Sequence, residues 1–206
     1  MAFWVSAFVL YIVFRLWYDG TKKPLTADEV DHFCQVLTQR ASEGIEQQDI
    51  DVYRRFMEED DGKEFVMVNL VQFNPSPIVH PDTGKDIQAP VLLTEYFKPL
   101  MKMFLSRAGH PVFSGRVRGG YLDAWNTPEN PGWHVAGLIR YRSRRDAMLA
   151  SLANPAFQGI HKFKVAAIRQ TFAIPVHKNG GLYASPRVTV ALVLALAAAL
   201  LQIGLD

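Results

Sequence analysis

The chain has 206 residues, 49% of them hydrophobic, which is enough for one ordinary domain with additional segments. Its 22 basic and 20 acidic residues leave a net charge of +2, which argues against a basic nucleic-acid-binding surface, and we expect no nucleic-acid partner. The single cysteine, Cys34, excludes an internal disulfide, and its place on the apolar side of a predicted helix indicates a small buried residue.

The first segment, Ala2 to Tyr18, is apolar on all sides and close to the length that crosses a hydrocarbon core. Trp4 and the pair Trp17-Tyr18 stand at its ends, as aromatic residues do at membrane interfaces. The segment lacks the basic start and the small-residue cleavage site of a signal peptide. We therefore expect an uncleaved transmembrane anchor within residues 1–20.

A second apolar run, Val188 to Leu205, predicts a transmembrane helix within residues 187–206. Its alanines at four-residue spacing either permit close helix contact in a bilayer or reflect simple alanine richness; they are Ala191, Ala195 and Ala199. Basic residues lie on the inner flanks of both runs, namely Arg15, Lys22, Lys23, His177, Lys178 and Arg187. By the positive-inside rule we expect the bacterial inner (cytoplasmic) membrane, with a cytoplasmic central domain and both termini on the outer side.

Residues 21–62 are predicted to form a helical linker region. Thr26 and Glu29 have the spacing of a capping box, which opens a helix with Val30, Phe33 and Leu37 on one face. A second helix is predicted from Asp49 to Glu59. The acidic residues that follow point in different directions, which indicates a solvated helix end rather than a cation site.

Residues 63–178 are predicted to form one domain that begins with a strand from Glu64 to Phe73. This strand is short and largely apolar, so we expect it to be buried on both faces. The later elements, in chain order, are a proline-rich loop (Asn74 to Pro90), a helix (Leu93 to Gly109), a strand (His110 to Trp125) with a bulge at Gly119-Gly120, a strand (Trp133 to Tyr141), a helix that begins at Ser143, breaks at Asn154-Pro155 and ends near Arg169, and a strand (Gln170 to Val176).

This order of elements predicts an α+β fold with a ferredoxin-like βαββαβ antiparallel sheet and both helices on one face. The other face of such a sheet needs a cover. We expect a homodimer that packs face to face, with the two preceding helices or the membrane surface as alternative covers.

Three stretches resemble a family of bacterial proteins. The first is Met67-Val68-Asn69-Leu70-Val71-Gln72-Phe73, the second is Tyr96, and the third is Arg140-Tyr141-Arg142-Ser143-Arg144 with the later Asn154-Pro155 break and Arg169-x-Thr171. They are similar to an uncharacterised branch, a domain of unknown function, of the dimeric α/β-barrel superfamily. The chain differs from that family at Gln72, where a basic residue is common, and at Arg142, where proline is usual. Relatives elsewhere in the superfamily include cofactor-free oxygenases, haem-degrading enzymes and isomerases, so that the resemblance implies a fold more than an activity.

Asn69 is the first candidate site residue, for catalysis and for ligand binding. By alternation it shares a face with Met67 and Val71. If this face lines the dimer interior, Asn69 projects into an apolar chamber; the alternative is that it bonds a neighbouring strand or loop. The resemblance adds Tyr96 as a ligand-binding residue. His134 is the candidate general base, with a half-buried structural histidine as the alternative.

Four arginines are the second candidate group: Arg116, Arg118, Arg140 and Arg142. If Trp125 pairs near Trp133, Arg118 lies opposite Arg140 and Arg116 lies opposite Arg142. Opposed like charges destabilise a sheet, so this register predicts a lipid-phosphate or carboxylate site, or a solvated face. A bulge at Gly119-Gly120 would shift the register and disperse the cluster.

The six histidines show no metal-ligand spacing, so we expect neither a metal nor another cofactor. Together these patterns predict a membrane-anchored protein that binds a small, partly apolar or anionic ligand in a cleft, with the Asn74 to Pro90 loop as a lid. The resemblance extends this hypothesis to an oxygenase-like or isomerase-like reaction without a cofactor. The alternative is a non-catalytic accessory or scaffolding subunit of a membrane protein complex.

Overall fold

A computed structural model describes residues 1–42, 49–180 and 185–204 of the chain. Seven helices lie within them: α1 (Ala2–Asp19), α2 (Ala27–Ser42), α3 (Ile50–Glu58), α4 (Ala89–Ser106), α5 (Arg144–Ser151), α6 (Pro155–Ala167) and α7 (Pro186–Ile203). The strands of the same ranges are β1 (Phe65–Phe73), β2 (Ile78–Val79), β3 (Asp86–Ile87), β4 (His110–Arg116), β5 (Val135–Tyr141) and β6 (Ile168–Val176). The predicted α+β class is confirmed.

The chain divides into two compact units. The helix-pair unit contains Met1–Lys22 and Lys178–Asp206, and the central unit contains Lys23–His177. Helices α1 and α7 have 18 residues each and are long and apolar enough to cross a membrane. The end of the predicted second run, residues 205–206, lies outside the described residues.

The two helices of the helix-pair unit pack against each other in antiparallel directions. Trp4 Nε1, at the start of α1, donates a 2.9 Å hydrogen bond to Gln202 Oε1, near the end of α7. At the opposite end, Arg187 donates to Asp19 at 2.7 Å and its guanidinium lies over the ring of Tyr18. The remaining surface of both helices is mostly exposed and apolar.

The central unit is built on a four-stranded antiparallel sheet in the order β4–β5–β1–β6. Strand β1 is central because its Val-rich sequence forms full ladders with both neighbours. Its alternate residues Met67 and Val71 face the helices. One core cluster lies among α4, α6 and the sheet, and a second joins α2, α3 and α5 to Phe65.

The helix starts follow from local sequence signals. Thr26 and Glu29 exchange the reciprocal hydrogen bonds of a capping box at α2, as predicted. Ser143 Oγ accepts a hydrogen bond from the backbone N–H of Asp146 and caps α5. Asn154 does the same for α6, where proline takes the first helical position.

Three local predictions are wrong. The segment from Asn74 to Pro90 is not structureless, because β2 and β3 pair within it. Helix α4 begins at Ala89, four residues before the predicted start at Leu93, and continues through Pro99. The strand predicted to reach Trp125 ends at Arg116, because the glycines and turn residues that follow offer little side-chain surface to a sheet.

The predicted register of the β4–β5 hairpin is wrong as well. Arg140 pairs with His110, and Arg116 pairs with Val135. The irregularity lies between Pro111 and Phe113 rather than at Gly119-Gly120. Because a long loop replaces the tight turn near Trp125, neither of the two predicted arginine pairs forms.

Candidate functional site

The central unit encloses a cavity of about 240 Å³ between the inner face of the sheet and the helices that cover it. Its walls are mainly aliphatic and aromatic, and they come from β1, β5, β6 and from helices α2 to α6. Val52, Ala173 and Pro175 are the exposed residues among its lining, so the cavity opens to solvent between α3 and the edge strand β6.

Asn69 lies in the lining of this cavity at the middle of β1. Its side-chain Nδ2 donates a 3.0 Å hydrogen bond to the carbonyl of Met67 in the same strand. The residues opposite it on the two neighbouring strands are Gly137 and Ala173, which carry little or no side chain. The space above Asn69 is therefore left open, and its amide oxygen is available to a bound molecule.

Tyr96 and His161 bring two further polar groups to the same cavity, from α4 and α6. Tyr96 is 6% exposed and His161 is 7% exposed. Their ring centroids are 6.3 Å apart in an edge-to-face arrangement, and Phe157 contacts both rings. Both side chains can exchange hydrogen bonds with a ligand, and imidazole can also carry a proton.

Tyr53 and Tyr141 also line the cavity, and Tyr141 is the more deeply packed of the two. Its ring stacks on Phe65 at a centroid distance of 4.9 Å and meets Phe104 edge-on. Burial raises the pKa of Tyr141 far above its usual value. The hydroxyl therefore stays protonated at neutral pH, and Tyr141 cannot serve as a phenolate base.

Two cationic side chains line the cavity, Arg40 from α2 and Lys164 from α6. No aspartate or glutamate of the described residues lines it. Sequence reasoning missed Arg40, although a signal was present. Arg40 follows Leu37 by three residues on the apolar stripe of α2, so a charged residue occupies a position where the helical period places a buried one.

The predicted arginines do not line the cavity. Arg140 is 4% exposed and donates to Glu64 at 2.7 and 2.9 Å and to the carbonyl of Ala108 at 2.6 Å. Arg142 pairs with Asp146 on α5 at 2.6 Å. Arg116 and Arg118 are exposed. These contacts give Arg140 and Arg142 structural roles that the sequence pattern did not indicate.

Asp146 collects several hydrogen bonds at the start of α5. Its carboxylate accepts from Arg142, Ser143 and Arg107. Burial by itself would raise the pKa of Asp146, but these hydrogen bonds and the charge of Arg142 lower it below its usual value. The ionised carboxylate is thus part of the folded structure rather than of the cavity.

His134 also lies away from the cavity. Its Nδ1 accepts a 3.0 Å hydrogen bond from the backbone N–H of Phe73, and its ring stacks on the ring of Phe73. It borders a second, more open cleft of about 380 Å³ that includes Gln88 and Arg169. The structure therefore brings Asn69 and Tyr96 together and separates them from His134.

His80 joins the β2–β3 hairpin to α4. Its Nδ1 accepts hydrogen bonds from the backbone of Asp82 and Thr83, and its Nε2 lies 3.1 Å from Glu95. The residues of this hairpin do not line the 240 Å³ cavity, so the predicted lid is wrong. Among the described residues, no group of three His, Cys, Asp or Glu side chains could hold a metal ion.

Family models and curated protein sequences give no match to this chain. Two crystal structures share its fold. One is the RPA0582 protein of unknown function from Rhodopseudomonas palustris, which is 18% identical, covers 66% of this chain and 97% of its own, and has a TM-score of 0.57. The other, methylated RPA0582, is 17% identical over 66% of this chain and 96% of its own, with a TM-score of 0.54. At these identities the similarity concerns the fold alone.

Proposed function

We propose that the protein is a membrane-anchored, homodimeric binding protein whose ferredoxin-like central unit holds a small, partly apolar molecule in the cavity beside Asn69. The observation that carries the proposal is the open space at the middle of β1, with an amide on its floor and apolar walls around it. Small-molecule sites have this composition, with few polar groups in an apolar enclosure. A volume of about 240 Å³ exceeds the ~150 Å³ of an apolar cavity that accepts benzene.

The strand order supports a ferredoxin-like arrangement. In the main sheet, β4–β5–β1–β6, the first and third strands in sequence, β1 and β5, are the central pair, and the fourth, β6, is next to the first. Helices follow β1 and β5 and pack on one face. A split βαβ pair has this pattern, and the fold similarity to the bacterial protein is consistent with it.

The outer face of the sheet supports a homodimer. Phe172, Ile174 and Val176 on β6 are 56%, 50% and 38% exposed, and they pair with apolar residues of β1 on the same face. The core clusters of the described helices lie on the other face. An apolar sheet surface of this kind favours association with a second copy.

The mass of the particles in lipid nanodiscs tests the homodimer. We expect an Ile174→Asp variant to be monomeric, whereas Val165→Asp, at an exposed position of α6, should remain dimeric.

Membrane anchoring is supported by the antiparallel packing of α1 and α7 and by their exposed apolar surfaces. An antiparallel pair that spans a bilayer leaves both chain ends on one side. The inner bacterial membrane with a cytoplasmic central unit remains our proposal. Cysteines introduced one at a time at Ala2 and Lys178 test it, since an impermeant thiol reagent on intact cells should label only the first.

Binding in the cavity is tested with two probes of the same shape, 3-phenylpropanoate and its neutral amide, 3-phenylpropanamide. Each is titrated by calorimetry into the full chain in lipid nanodiscs, with empty nanodiscs as background. We expect at least one probe to bind once per chain. A Gly137→Val variant should lose this binding because the valine side chain enters the space beside Asn69. We expect the variant to fold, since a Cβ at Gly137 meets nothing closer than 3.9 Å.

Gly119→Val is the matched control, since nothing lies within 4 Å of a Cβ at that loop position. If both variants bind like the unmodified chain, the molecule binds elsewhere. If neither probe binds to the unmodified chain or to either variant, the proposed binding function is refuted. An oxygenase-like or isomerase-like reaction at this site remains a further prediction and would need a group such as His161 to move a proton.

The second candidate function is an accessory or scaffolding subunit of a membrane complex. The loop between β4 and β5 favours it, because Leu122 is fully exposed and Trp125 is 80% exposed. Large apolar side chains at a loop tip are typical of contact surfaces. Purification from mild detergent distinguishes the two, since a stoichiometric membrane partner supports the accessory role.

A further inference from the structure

We propose that the cavity selects a carboxylic acid with an apolar body, and that Arg40 holds the carboxylate. This inference rests on the proposed binding function and adds the class of ligand. Its starting point is an arginine that is 6% exposed and lines the cavity. A buried guanidinium normally has a carboxylate or phosphate beside it, because a buried charge without a counter-charge is costly.

The contacts of Arg40 leave part of the guanidinium for a ligand. Its terminal nitrogen donates to the carbonyls of Leu152 at 2.8 Å and Ser151 at 3.4 Å, at the end of α5. Its Nε is fully buried and makes no hydrogen bond within the described residues. Within those residues Arg40 contacts two carbonyl oxygens and forms no ion pair with a carboxylate.

The rest of the lining is consistent with an acid and disfavours a cationic molecule. Lys164 also lines the cavity, and no acidic side chain of the described residues does. The other walls are largely apolar and enclose the cavity on the side of Tyr96 and Phe157. One guanidinium and apolar walls match a singly charged carboxylate, whose two oxygens fit the guanidinium fork, better than a doubly charged phosphate.

The two probes also test this inference. At pH 7 we expect 3-phenylpropanoate to bind the full chain in nanodiscs about 10- to 100-fold more tightly than 3-phenylpropanamide, as one charge-assisted hydrogen-bonding group provides. Arg40→Gln should bring the two affinities together by weakening the acid. Glutamine removes the positive charge and keeps a polar N–H donor at this position.

Arg144→Gln is the matched control. Arg144 is also a buried arginine, at 8% exposure, but it donates to the carbonyl of Phe56, lies over the Phe56 ring, and does not line the cavity. We expect Arg144→Gln to keep the preference for the acid even where it lowers the melting temperature. A preference that survives Arg40→Gln, or is lost equally in both variants, overturns the assignment to Arg40.

The affinities of the unmodified chain for the two probes test the carboxylate preference without relying on the folding of any variant. Equal affinity for the acid and the amide overturns the carboxylate preference and leaves the proposed binding function standing. Absence of binding by both probes overturns the binding function and the inference with it. Tighter binding of the amide overturns the inference alone.

Discussion

Replacing Arg140 with methionine should destabilise the central unit and leave binding in the cavity intact. Arg140 lies at the edge of the sheet's outer face, opposite Val66 and His110 on the neighbouring strands. It holds the carboxylate of Glu64 and the carbonyl of Ala108, and its side chain is 5% exposed. Methionine keeps much of the apolar stem and removes these hydrogen bonds.

The size of the effect follows from the exposure of the two partners. Ala108 is 1% exposed, so loss of the 2.6 Å bond to its carbonyl costs about 1–3 kcal/mol. The Glu64 side chain is 33% exposed and can regain water, so the ion pair contributes only about 1 kcal/mol. The total of about 2–4 kcal/mol corresponds to a fall of about 5–15 °C in Tm for a unit of this size.

Thermal unfolding followed by tryptophan fluorescence measures this fall, with Arg116→Met as the control at an exposed position. We expect the control to stay within about 1–2 °C of the unmodified chain. Titration with 3-phenylpropanoate on the same samples measures binding. If Arg140→Met keeps its Tm and loses binding, Arg140 is a ligand-binding residue, as the sequence pattern suggested, and the structural role is refuted.

Three further substitutions or treatments test the packing of the central unit. Asp146→Asn should lower Tm most at neutral pH, because hydrogen bonds lower the pKa of Asp146 despite its burial. The ionised carboxylate stabilises the fold above the unfolded-state pKa of about 3.9, and this stabilisation is lost as pH falls through the lower folded-state pKa. A Tm difference independent of pH from 7 to 3 would contradict this. Met57→Ala removes a side chain with 0% exposure and should cost about 2–5 kcal/mol in thermal unfolding, whereas an unchanged Tm would refute the second core cluster. Cys34 is buried, and burial raises its pKa, so iodoacetamide should alkylate it slowly in the native chain and rapidly in urea; equal rates would show an accessible thiol.

The predictions that hold are those that depend on local sequence signals. The capping residues Thr26 and Ser143, the apolar stripe of α2 and the proline at the start of α6 each act within one turn of helix. The continuous apolar run fixes β1 for a similar reason. Such signals do not depend on where the rest of the chain lies, which is why one sequence is enough to read them.

The register of the hairpin could not be read in the same way. It depends on how many residues leave the ladder between Arg116 and Val135 and on an irregularity at Pro111 to Phe113. Neither Gly119-Gly120 nor the tryptophan pair marks these positions. A shift of one residue moves every side chain of a strand to the other face of the sheet. Because the turn was assigned incorrectly, the predicted arginine pairs do not exist in the structure.

The residues of the cavity also fall into two groups, those that the sequence indicated and those that it did not. Alternation along β1 grouped Asn69 with Met67 and Val71, and the resemblance pointed to Tyr96. We expected this face of β1 to line the dimer interior, but the structure places it towards the helices of the same chain. Arg40, His161 and Lys164 come from helices far apart in sequence, and only the packing of α2 and α6 brings them to one cavity. The predicted linker region therefore contributes to the cavity, since α2 supplies its buried cation and α3 supplies one side of its mouth.

The small residues beside Asn69 are the strongest argument that the cavity serves a bound molecule. An empty, closed apolar cavity of 240 Å³ would cost about 6 kcal/mol at ~24 cal/mol per Å³, against a total stability of about 5–15 kcal/mol for a domain. Water entering at the β6 edge lowers this cost but still wets apolar walls. A larger side chain at Gly137 would fill part of the space and gain burial, because a Cβ there meets nothing closer than 3.9 Å. The chain has glycine there instead, and the proposed ligand would recover the stabilisation that a side chain does not supply.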